Sequence, residues 1–133
     1  MAETMASLNR GDGTYIEGTP SASSISVPNG AYTIIRTINL KSGHTYIVSA
    51  TLQFQYAEGA NNILVNTILD DTNSNTYAII RNGDGMRNGG GASLSAIIRA
   101  TTDITLRLRV YQTSGTTKTV MAEYTALNAY QLN

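Results

Sequence analysis

The sequence predicts an all-β protein: an antiparallel β-sandwich of the jelly-roll type, carrying an extended N-terminal arm. Three observations predict it. Ile, Val and Thr make up roughly a quarter of the chain, and their branched side chains fit a pleated surface better than a helix. Apolar residues recur with period two, and no window repeats them at helical spacing over three turns. Clusters of Gly, Asn, Asp and Ser separate the alternating runs, as they do where about seven or eight short strands build a sandwich.

The runs follow one another closely. Ala31–Leu40 places Tyr32, Ile34, Ile38 and Leu40 on one face, with Arg36 the exception. Thr45–Gln55 is the most regular, alternating Tyr46, Val48, Ala50, Leu52 and Phe54 with polar residues and Ile47. Asn62–Asp70 sets Ile63, Val65 and Leu69 against Leu64 and Ile68, and Thr76–Arg81 is a short run. Ala92–Ala100 carries Leu94, Ala96 and Ile98 on one face. Ile104–Gln112 opposes Ile104, Leu106, Leu108 and Val110 to Thr105, Arg107, Arg109 and Tyr111. Lys118–Leu132 is long enough for one bent strand or two short ones. Turn chemistry falls between them at Pro28-Asn29-Gly30, Lys41–His44, Glu58–Asn61, Asp71–Asn75, Asn82–Gly91 and Thr113–Thr117.

Composition narrows the function. A length of 133 residues suits one domain. The absence of cysteine excludes disulfides and cysteine-based zinc or redox sites. Nine basic residues balance nine acidic ones, and charged residues are only 14% of the chain, against about 25% in an average domain. Neither nucleic acid nor a membrane surface is an expected partner of so neutral a chain. No apolar run approaches the ~18–20 residues of a membrane span, and the first residues lack the basic start of a signal peptide.

Residues 1–24 read differently from the rest. They are small and polar, with Leu8, Tyr15 and Ile16 as the large apolar residues besides methionine. We expect an extended attachment arm over 1–24, with those three side chains as anchors on a partner, and a sandwich domain over 25–133. Ile25 and Val27 can still pair with a sheet edge.

Motifs for chemistry are sparse. His44 is the only histidine, so neither a hydrolase triad nor a multi-histidine metal site can be assembled around it. Arg10-Gly11-Asp12 matches an integrin-binding tripeptide, a match short enough to arise by chance. Asp71-x-Asn73-x-Asn75 resembles the start of a calcium loop. The match fails at Thr76 and Asn82, where Gly and a bidentate Glu belong, so a hairpin tip is expected. The glycine-rich stretch Asn82–Gly91 lacks the lysine and following helix of a phosphate loop. With Arg81 it forms a candidate ligand loop, where Arg81, Asp84 and Arg87 could face an acidic group or a sugar. Tyr56 and Tyr77 are the aromatic residues beside loops. Arg107 and Arg109, with Thr105 and Tyr111, mark a solvated or subunit-facing sheet surface. No paired carboxylates and no nucleophile–base pair suggest catalysis, and no cofactor is expected.

The segment Ile38-Asn39-Leu40-Lys41-Ser42-Gly43-His44-Thr45-Tyr46-Ile47-Val48-Ser49-Ala50 resembles the leucine, short turn, glycine and tyrosine strand of tumour necrosis factor-like jelly rolls. Leu94–Ile98, the Thr-Asp turn and Ile104–Val110 are similar to its central hairpin. Ser114-Gly115 and Leu127–Leu132 are similar to its closing turn and strand. The resemblance spans about residues 31–132 and implies the fold. Many bacteriophage fibre tips and head-decoration proteins are similar to it; they are typically homotrimers, free of cysteine and rich in Thr, Asn, Ser and Gly. With no signal peptide or collagen-like stalk recognisable, the resemblance implies a homotrimeric decoration or short head or tail fibre on a virion surface. It would bind other virion proteins through residues 1–30. The alternative expectation is a tip domain that binds a receptor or a host surface glycan through its loops.

Overall fold

A computed structural model describes residues 15–18, 24–55, 64–83 and 91–133. Among them the alternating runs become strands β1 Tyr15–Glu17, β2 Ile25–Val27, β3 Thr33–Leu40, β4 Thr45–Gln53 and β5 Leu64–Asp71. They continue with β6 Thr76–Gly83, β7 Gly91–Arg99, β8 Ile104–Gln112, β9 Lys118–Val120 and β10 Ala126–Gln131. Sheet I has the order β1-β10-β4-β7, sheet II the order β3-β8-β5-β6, and β2 with β9 makes a two-stranded ribbon. All these pairings are antiparallel, and the architecture is the predicted jelly-roll sandwich.

Alternation decides what goes inside. On β4, Tyr46, Val48, Ala50 and Leu52 are buried while Ile47, Ser49 and Thr51 are exposed. On β8, Ile104, Leu106, Leu108 and Val110 point inward, and the residues between them form the outer face. Side chains from both sheets and from the ribbon's Val27 and Val120 join one core cluster. Gln112 is buried at its margin. Its amide nitrogen donates to the carbonyls of Val27 (3.0 Å) and Thr116 (2.7 Å), while its oxygen accepts from the Ser114 amide (2.6 Å). The ribbon, β8 and the 113–117 turn are therefore tied by a single polar group whose bonds are satisfied.

Two expectations need revision. On β3 the face pattern inverts, because the pairing with β8 skips a residue between Ile34 and Arg36. Such a bulge shifts the period by one residue. Ile34 stays outside at 49% exposure, whereas Ile35 and Arg36 are both buried. The Arg36 guanidinium donates to the carbonyls of Ile35 (2.8 Å) and Ala122 (3.4 Å), and burial lowers its pKa. The long C-terminal run resolves into two strands, with a 3-10 turn at Ala122–Tyr124 between β9 and β10.

The second revision concerns the boundary near residue 24. Strand pairing begins earlier, since Tyr15, Ile16 and Glu17 stand opposite Tyr130, Ala129 and Asn128. Three residues are too few to show a period, so β1 depends on its partner strand for its structure. Gly18 lets the chain close against that partner: its amide donates to the Leu127 carbonyl at 2.6 Å. A Cβ on Gly18 would lie 2.7 Å from the Leu127 oxygen and 3.1 Å from that of Thr37, both backbone atoms. Gly18→Ala is expected to cost about 1–3 kcal/mol by forcing the backbone apart. Hydrogen exchange at Ile16 should rise well above wild type while exchange in sheet II stays unchanged.

Candidate functional site

The outer face of sheet II concentrates the charged and aromatic chemistry. Its register builds rows across the strands. Tyr111, Asn66 and Arg81 form one row; Ile34, Arg109, Ile68 and Ile79 the next; Thr37, Arg107, Asp70 and Thr76 the third. Because β5 is an inner strand, its outward residues have neighbours on both sides, which is how Asp70 comes to be almost fully covered. Its carboxylate accepts from both flanking arginines. Oδ1 takes Nε of Arg107 (3.1 Å) and of Arg109 (3.2 Å). Oδ2 takes Nη2 of Arg107 (2.9 Å) and Nη2 of Arg109. Arg107 Nη2 also donates to the Asp71 carbonyl at 2.8 Å. Two planar forks on one carboxylate fix each other's orientation, as only guanidinium groups can.

Aromatic rings border this network. The Arg109 guanidinium carbon lies 4.7 Å above the Tyr32 ring, a cation–π contact. Tyr32 and Tyr111 have ring centroids 5.3 Å apart at a 39° tilt. Tyr32 is 41% exposed. Asn66 Oδ1 is buried and has no hydrogen-bond partner among the described residues.

The neighbouring Asp71 has a different role. Its carboxylate accepts from the amides of Asn73 (2.8 Å) and Asn75 (3.0 Å), from the Asn75 side chain (2.9 Å) and from the Tyr77 hydroxyl (2.7 Å). These donors occupy the oxygens that the calcium-like spacing would have offered to an ion, and they organise the hairpin tip. Burial alone would push the Asp71 carboxyl up, but those hydrogen bonds outweigh it and hold the pKa below its ordinary value. Burial, and then the hydrogen bond and charge of Asp71, push the Tyr77 hydroxyl up to about 12.

The sequence candidates distribute as follows. Arg81 is exposed on β6 and makes no hydrogen bond or ion pair with another described residue. Asp84, Arg87, Leu8, Tyr56 and the Arg10-Gly11-Asp12 motif lie outside the described residues. Ile16 packs against the chain's own core, so of the two described anchor candidates Tyr15, 55% exposed, is the one left available to a partner. Tyr77 is tied to Asp71 and the core, and the more exposed tyrosine of the Tyr32–Tyr111 pair on this face is Tyr32. His44 Nδ1 lies 2.6 Å from a main-chain oxygen of Asn133, with the ring edge-on to Tyr46. Sequence reasoning placed Arg107 and Arg109 on one face but missed Asp70 between them. The signal was present in the alternation of β5 but needed the strand order to be read.

The outer face of sheet I is chemically opposite. Tyr15, Tyr130, Ile47 and Ile97 stand in register across all four strands. Ile97 is 73% exposed, and Ile47, Ser95, Ala96 and Ile97 line a shallow depression of ≈420 Å³. The adjoining row is Glu17, Asn128, Ser49 and Ser95, and Arg99 stands opposite Thr45 on the other side.

No protein-family model matches the chain, and no curated protein sequence matches it either. Its fold is similar to solved structures. A chain of infectious bursal disease virus, Gt strain, is 13% identical with a TM-score of 0.56; the match covers 89% of this chain and 32% of the viral one. Eiger, a tumour necrosis factor of S. frugiperda, is 11% identical with a TM-score of 0.55, and the match covers 90% of this chain and 92% of Eiger. The chain thus spans about a third of the viral protein's length and nearly all of Eiger's. The shared property is the tumour necrosis factor-like jelly-roll fold.

Proposed function

We propose that the chain is a non-catalytic structural protein of a bacteriophage virion, a homotrimeric surface decoration or short head or tail fibre held to the particle by the segment that precedes β1. The observation that carries this reading is the apolar row on sheet I. With strands ~4.8 Å apart, four in-register side chains make a stripe about 15 Å long. Its flanks are Ser, Thr and Asn, with Glu17 and Arg99 near opposite corners. A surface of this kind is poorly matched to water and to a highly charged partner, and identical copies would cover it without burying unpaired charge. The proposed attachment segment leads into β1 at the edge of the same sheet. Viral and cytokine jelly rolls of the same fold make the virion role consistent with the architecture, and the in-register stripe supports self-association.

Light scattering at micromolar concentration tests the assembly. A mass near three times 14.2 kDa is expected. Ile97→Lys, a fully tolerable change in a monomer at a site 73% exposed, should reduce that mass to one chain. A monodisperse wild-type monomer, or a dimer, would sink the trimer. Deleting residues 1–14, which spares β1, should keep the oligomer and abolish retention on the particle. If the shortened protein is retained, the attachment role is wrong.

A further inference from the structure

We propose that the outer face of sheet II, around Arg81, Asn66, Arg109 and the Tyr32–Tyr111 pair, binds an acidic glycan. The site lies on the sheet itself and requires nothing of the loops, so it goes beyond a loop-borne recognition tip and depends on neither oligomeric state nor attachment.

Four features converge on that ligand. The first is charge: Arg81, Arg107 and Arg109 share the face with one described carboxylate, that of Asp70. A chain neutral overall therefore carries a local positive surplus. The second is availability. Arg107 and Arg109 spend their Nε–Nη2 edges on Asp70, and Nη1 of each has no partner among the described residues. Asp70 therefore holds two guanidinium groups still while leaving their far edges ready for an acidic oxygen, so little side-chain freedom is lost on binding. The third is the aromatic border. Tyr32 and Tyr111 offer rings that the C–H face of a sugar can cover.

The fourth feature separates a sugar from a simple anion. Asn66 Oδ1 is a buried acceptor with no donor among the described residues, standing between Tyr111 and Arg81 in register. Once its amide turns outward, a sugar hydroxyl can donate to that oxygen, whereas a sulfate cannot. From Tyr111 to Arg81 is two strand spacings, ~10 Å, which suits a short stretch of oligosaccharide rather than a single small ion. The neutral total charge argues against a nucleic-acid strand for the same set of donors.

Binding of the full chain to immobilised polygalacturonate (carboxylates), heparin (sulfates) and dextran (no charge) tests the proposal. Binding to either acidic polymer and not to dextran is expected, and the preferred polymer identifies the acidic group. Arg81→Ala makes no intramolecular change that could unfold the chain, and should weaken binding about tenfold, the effect of one lost charged hydrogen bond. Arg109→Lys keeps the charge but loses the fork and should weaken it similarly. Arg99→Ala, on sheet I, should leave binding unchanged. Equal binding to dextran, no binding to either acidic polymer at millimolar sugar, or binding indifferent to both Arg81→Ala and Arg109→Lys would each overturn the site.

Discussion

Leu108→Ala is expected to destabilise the fold by about 3 kcal/mol and to lower Tm by about 10 °C. Leu108 is fully buried on β8, which is paired on both edges: Arg36 of β3 lies opposite on one side, Leu69 of β5 on the other. Neighbours held by two ladders cannot collapse into the space a truncated side chain leaves, so the cavity persists and its cost adds to the lost burial. Urea unfolding followed by far-ultraviolet circular dichroism measures the change. A loss below about 1 kcal/mol would mean that β8 relaxes freely and is not the rigid centre of sheet II.

Asp71→Ala should come next in size, at about 2–4 kcal/mol, because four donors lose their acceptor at once. Two of those donors are backbone amides of the tip, so the turn between β5 and β6 loses its organiser; Ser74, held at a φ of 67°, is the residue that would relax. The effect depends on pH with a definite sign. The folded Asp71 carboxyl titrates below its unfolded value of 3.8, so its contribution is complete above that value and disappears as the pH falls through the lower folded pKa. The gap between wild type and Asp71→Ala should therefore be widest near neutrality and close in strong acid. Tyr77→Phe, which removes one of the four donors, should show a smaller gap of the same sign. A gap that stays constant from neutral to well below pH 3.8 would show that the carboxylate charge is not what holds the tip.

Period-two alternation made β4, β7 and β8 legible, since each turns every second residue toward the core along one straight ladder. It misread β3, where a bulge at Ile35 carries Arg36 inward, because a one-residue insertion in the pairing leaves no mark on the residues themselves. It also missed β1, whose three residues gain strand geometry only from β10. The binding face was half visible. Arg107, Arg109 and Tyr111 share a face by spacing alone, but their companions Asp70, Asn66 and Arg81 come from strands that are distant in sequence. Only the order β8-β5-β6 brings them alongside. Local residue types report local geometry; a site assembled across a sheet is written in the pairing.

The position of β10 bears on how the molecule is made. It is synthesised after every other described strand, yet it occupies the interior of sheet I between β1 and β4. Sheet II closes with residues no later than Gln112, so it can form while sheet I still lacks a strand. During that interval β1 has no ladder and β4 presents an open edge in the middle of its sheet, the kind of template that recruits a strand from another molecule. A chain cut short before Ala126 would keep that open edge permanently. The nascent jelly roll is thus most exposed to aggregation just before β10 emerges, and arrival of that strand both completes sheet I and removes the hazard.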